Sequence, residues 1–188
     1  LDLKEGKDAS AEKNFSLAIK ADPLLLQPRL RLAEIYLKQK NGPEAIRILE
    51  DILHEPTFHA QHRDILKRLT ILSFHQGEWQ RGFEALERSI KSHLSVKDYV
   101  SFALDLDAEG FAPVALALVR GGLKIYPRDK ELHLLAGVLL GNGGNLREAV
   151  NFWQAGLLLD PNDPRFSEII RMAEILLKNQ APGSGNQP

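Results

Sequence analysis

A block of four residues recurs along the chain at fixed internal spacing. A small residue is followed four positions on by a bulky one, three further by another small one, and five further by proline. It reads Ala11, Phe15, Ala18, Pro23 at first, then Ala115, Val119, Gly122, Pro127 and Ala149, Trp153, Gly156, Pro161. Two degraded copies lie between: Ala45, Leu49, Ile52, Thr57 and Gly82, Leu86, Ser89, Leu94. Successive first members recur at an interval of about 34 residues, the length of one helical repeat unit. Steps of four and three hold residues on one helix face. Such a period in a chain of this character predicts stacked helix pairs, each burying its apolar face against its neighbours.

The small members let a neighbouring helix approach, and the bulky one fills the space between. The proline cannot continue a helix and marks its end. Upstream of each block lies a second stripe: Leu32, Ala33, Tyr36 in the second repeat, then Leu66, Leu69, Thr70, Ser73 in the third. Tyr99, Phe102, Ala103, Leu106 and Ala136, Gly137, Leu140 continue it. Between the two helices of each pair stands a glycine, Gly42, Gly77, Gly110 or Gly144. Each is expected to take the left-handed conformation that closes a helix end. The unit therefore reads helix, glycine turn, helix, proline turn.

On these residues the chain resembles the tetratricopeptide repeat (TPR) family, with its helix-turn-helix unit. The resemblance covers roughly residues 1–161. It departs from the family pattern in having Arg29, Leu66, Tyr99 and His133 where a tryptophan opens the first helix. It also lacks the proline at Thr57 and Leu94 and carries three extra residues near Thr57 to His62. The resemblance implies an all-α fold: a right-handed α-solenoid of antiparallel helix pairs, or superhelix, with a C-terminal capping helix. We expect one solenoid over 1–178, with a partial first repeat (1–25), repeats at 26–62, 63–95, 96–129 and 130–163, a capping helix at 164–178, and a disordered tail at 179–188.

The capping helix is expected to cover the last repeat with Phe166, Ile169, Ile170, Ala173, Leu176 and Leu177. Arg165, Glu168, Arg171, Glu174 and Lys178 are expected to face water. At the other end, Gly6 stands where an inter-helix turn belongs, so Leu1 to Glu5 reads as the stub of an earlier helix and the chain as a piece of a larger protein. A net charge of −1 gives no global basic field for nucleic acid or acidic membrane. The absence of cysteine excludes disulfide and thiolate chemistry but leaves the compartment open, cytoplasmic or bacterial periplasmic. No apolar run is long enough to span a bilayer.

Catalytic and metal chemistry find little support. His59 and His62 are three apart, with His54 nearby, but no third ligand is phased with them. His75, His93 and His133 are scattered, and no serine–histidine–acid context appears. Gly121-Gly122 and Gly141 to Gly144 fall in a helix and in a helix-helix turn, where a phosphate loop does not belong. No enzyme activity, cofactor or metal is expected.

The resemblance further implies that the first helix of each pair lines a concave groove. The groove residues would then be Leu30, Glu34, Leu37, Lys67, Ile71, Phe74, Val100, Leu104, Leu134 and Val138. Their apolar middle predicts a scaffold that binds an apolar or amphipathic segment of another protein. Two alternatives stay open: a homo-oligomeric assembly module, and an accessory domain of a larger envelope, secretion or polysaccharide-export machine. No nucleic-acid partner and no membrane insertion is expected.

Overall fold

The structure is a computed structural model that describes residues 2–180, with side chains over 9–179. In chain order the helices are α1 (Asp2–Ala21), α2 (Leu26–Lys38), α3 (Gly42–His54), α4 (His62–His75) and α5 (Trp79–Lys91). They continue as α6 (Val96–Ala108), α7 (Ala112–Ile125), α8 (Lys130–Asn142), α9 (Leu146–Leu159) and α10 (Pro164–Gln180). No strand occurs among the described residues. The chain divides after His93 into two compact units. α10 continues through Asn179 and Gln180, the expected start of the disordered tail; the rest of that tail, 181–188, lies outside the described residues.

The even-numbered helices from α2 to α8 end in one repeated device. Two residues past the last helical one, a residue with positive φ folds the chain back: Gly77 (76°), Gly110 (87°) and Gly144 (84°). The next amide then donates to the carbonyl five residues earlier: Glu78 to Ser73, Phe111 to Leu106 and Asn145 to Leu140, each at 2.8 Å. This six-to-one bond, with the five-to-two bond inside it, defines a Schellman closure. The second repeat makes the same closure, Asn41 to Tyr36 at 2.8 Å, but Gly42 is not its pivot. Lys40 carries the positive φ of 59°, and Gly42 instead opens α3. A side chain on Gly42 would meet only the end of the exposed Gln76 side chain, which can move aside, so neither backbone freedom nor tight packing requires glycine here.

Helix starts follow local chemistry. Ser95 and Asp98 form a reciprocal capping box ahead of α6, and Asp129 accepts from the Leu132 amide at 3.0 Å to open α8. Pro43 and Pro113 occupy the first turns of α3 and α7, where a missing N–H costs nothing. The expected break at Gly6 is absent: α1 runs through it from Asp2 to Ala21. One glycine weakens a helix interior by only about 1 kcal/mol, which a long helix tolerates. The three extra residues fall at a six-residue 3-10 segment, Pro56–Gln61, that places Phe58 in the core of the first unit.

Both stripes are buried as their spacing predicts. From the second repeat to the fifth, every member of the helical part of the block is buried, as are all second-stripe residues except the half-buried Tyr36. In α1 the corresponding Ala11, Phe15 and Ala18 are half-buried. In the second unit Trp153 lies against Gly137 and Phe166 against Gly156, where any added side chain would overlap the ring. Short connections between successive helices and this interdigitation make the fold class an all-α array of antiparallel helix pairs, closed by α10.

Candidate functional site

The candidate surface is the outward face of the even-numbered helices, described for each unit separately. In the second unit, α6 and α8 lie side by side. Val100 and Leu134 occupy one repeat-equivalent position, and Leu104 and Val138 the next, the members of each pair standing one repeat apart. Leu104 is 49% exposed, whereas Val100, Leu134 and Val138 are half-buried. The backbone of α8 under this face is held from below, for the Trp153 indole donates to the Leu134 carbonyl at 3.2 Å.

The row does not stop at α8. One further repeat length carries Val138 onto Met172 and Asn142 onto Leu176, both on α10. Met172 is 53% and Leu176 52% exposed. Leu176 is therefore not one of the residues that cover the last repeat, contrary to the expectation from the stripe pattern. That task falls to Phe166, Ile170 and Ala173, with Ile169 and Leu177 packed beside them. Met172 escapes a reading of the sequence because a capping helix is expected to turn polar, and Leu176 because it falls on the margin of the stripe. The repeat period carried one helix further is the signal that finds both.

A charge cluster fastens α10 to α8. Arg165 donates to both carboxylate oxygens of Glu131, at 3.0 and 2.6 Å. It also donates to Asp163, which caps α10 by accepting from the Arg165 amide. The Lys130 ammonium bridges Asp160 (2.6 Å) and Asp163 (3.1 Å). The Arg165 guanidinium holds the Asp163 and Glu131 carboxyls below their ordinary range, and Lys130 does the same for Asp160. Glu131 is thus engaged by Arg165 of its own chain.

In the first unit, Leu30 and Lys67 occupy the position equivalent to Val100, and Glu34 and Ile71 that of Leu104. Leu37 is 42% exposed, and Leu30, Glu34, Lys67 and Ile71 are half-buried. Glu34 accepts from Arg31 at 2.8 Å and lies 3.8 Å from Arg68, so α2 and α4 are linked across this face. Phe74 is not on it. Its ring is buried at 2% exposure and packs on Trp79 and Phe83, with centroids at 5.2 and 5.1 Å. Gly82 causes this: it stands where the other repeats have alanine, and a side chain there would collide with the Phe74 ring.

The histidine rings of His59 and His62 lie 5.2 Å apart. Among the described residues no group of three or more His, Asp or Glu side chains is arranged to hold a metal ion. Likewise no described helix is long and apolar enough to cross a membrane.

A family model for the tetratricopeptide repeat matches residues 2–69. No curated protein sequence matches. Among solved structures, a crystal structure of MamA protein aligns over 86% of this chain and 87% of its own, at 20% identity and a TM-score of 0.50. MamA 41-end from Desulfovibrio magneticus RS-1 aligns over 81% of this chain and 85% of its own, at 16% identity and a TM-score of 0.47. YrrB, described as a TPR protein with an unusual peptide-binding site, covers 88% of this chain and 84% of its own, at 14% identity and a TM-score of 0.47. The chain thus resembles the tetratricopeptide repeat over residues 2–69, and its phased helix pairs continue the same helical-repeat fold through α9.

Proposed function

We propose that this chain is a non-catalytic scaffold that docks an apolar or amphipathic segment of another protein on the outward face of its even-numbered helices. Repeat arrays work by presenting extended surfaces rather than by enclosing pockets. The observation that carries the reading is the row Leu104, Val138 and Met172, one apolar side chain in each successive repeat at the same position. Two of the three, Leu104 and Met172, are about half exposed. Fully burying one such side chain contributes ~1.5–3 kcal/mol, so several together offset the ordering cost of a short helix or extended segment. Val100, Leu134 and Leu176 widen the row, and Leu30, Leu37 and Ile71 supply the apolar part of the first unit's face.

The reading predicts that Leu104→Glu abolishes partner capture from a lysate of the source cells while far-UV circular dichroism is unchanged. Undiminished capture by the variant rejects the assignment of this face. A role within a larger envelope, secretion or export machine is a special case of such docking and rests on fold analogy alone.

A further inference from the structure

Charge is distributed unevenly along the array, and the unevenness is hidden in the overall balance of −1. In the first unit, α2 and α4 carry six cations, Arg29, Arg31, Lys38, Arg63, Lys67 and Arg68. Against them stand only two carboxylates, Glu34 and Asp64. In the second unit, α6 and α8 show the opposite bias, with Lys97 and Lys130 against Asp98, Asp105, Asp107 and Glu131. The cationic excess is therefore a property of the α2–α4 pair.

Geometry sharpens this. Arg31 and Arg68 converge from two helices on the single carboxylate of Glu34, at 2.8 and 3.8 Å. Both side chains remain more than half exposed, at 59% and 56%. One carboxylate shared by two guanidiniums leaves a positive charge on a face that also presents Leu30, Leu37 and Ile71. Guanidinium groups recognise carboxylates through paired N–H donors, so a second carboxylate fits where Glu34 is already shared.

We propose that the α2–α4 face of the first unit docks an acidic amphipathic segment of a partner protein, its carboxylates on Arg31 and Arg68 and its apolar side chains on Leu30, Leu37 and Ile71. This rests on the docking function proposed above and names the chemistry of the segment. An acidic peptide is favoured over a nucleic acid because the cations alternate with aliphatic side chains, and Tyr36 of α2 and Phe74 of α4 lie against or in the core.

The test uses the full chain and fluorescence anisotropy. The probe is a labelled synthetic helix with leucines on one face and glutamates on both flanks, compared with its counterpart bearing lysines on the flanks. The expected result is that only the glutamate probe binds. Raising NaCl from about 0.05 to 0.5 M should weaken it markedly. Arg31→Glu with Arg68→Glu should weaken binding by about tenfold or more, and Glu34→Gln should tighten it. Equal binding of the lysine probe, no effect of the arginine changes, or preference for an oligonucleotide overturns the proposal. So does a homodimer in light scattering that Arg68→Glu dissolves, because the occupant is then a second copy. If the glutamate probe fails while Leu104-dependent capture persists, this inference alone falls; if both fail, the docking function falls with it.

Discussion

Gly156 and Gly121 show how differently two glycines of one chain behave. A side chain at Gly156 would overlap the buried ring of Phe166, which has no room to yield. Gly156→Ala should therefore cost ~1–3 kcal/mol, as overpacking does, read from urea denaturation. Gly121 lies in α7 with nothing within 4 Å of the place a methyl group would take. Gly121→Ala should stabilise by ~0.5–1 kcal/mol through helix propensity alone. A third test lies at Lys40, where the closure of α2 does without glycine. Lys40→Gly should raise stability by up to about 1 kcal/mol by removing the left-handed penalty. A fall in stability at Lys40→Gly would mean that its side chain has contacts outweighing that penalty. At this scale, spacing alone reveals the roles of Gly77, Gly110 and Gly144. It misreads Gly42, because a glycine near a turn looks the same whether it supplies the positive φ or merely opens the next helix. Phe74 is misplaced for the same kind of reason: whether a ring at that position faces outward depends on the one-methyl difference between Gly82 and the alanines of the other repeats.

The elements are the most legible part of the chain, since each helix carries its own stripe and its own terminator. What the stripe does not reveal is how α10 is held. Its attachment uses Phe166, Ile170 and Ala173 together with the ion pairs of Arg165 and Lys130 to residues distant in sequence, and an apolar stripe gives no sign of which charges pair. The attachment has a pH signature. Asp163, Asp160 and Glu131 have carboxyls lowered in the folded state, so each binds protons more weakly there than in the unfolded chain. Their contribution is complete above the ordinary carboxylate range near pH ~4 and is lost progressively as pH falls below it. Amide exchange in α10 should accelerate below that range before exchange in α8 does. Asp163→Asn should reproduce the acceleration at neutral pH by removing two ion pairs, while its amide oxygen can still cap α10. Equal acceleration in both helices would show that the cluster does not hold α10 selectively.

For the whole molecule, the repeat period carries more functional information than any single motif. It aligns Leu104 with Val138 and, taken one step beyond the last recognisable block, with Met172. Overall composition carries less, because a balanced charge conceals the cationic α2–α4 pair. The central claim is that the outward face of the even-numbered helices, and not the surface at large, receives a partner. It is tested most directly by placing a photo-crosslinking amino acid at Leu104 in one sample and at Leu158 in another. Leu158 is 83% exposed, and nearly opposite the buried stripe of α9. The account predicts a discrete crosslinked product with a cellular protein from position 104 and none from position 158. Equal products from both positions, or a product from 158 alone, would contradict it.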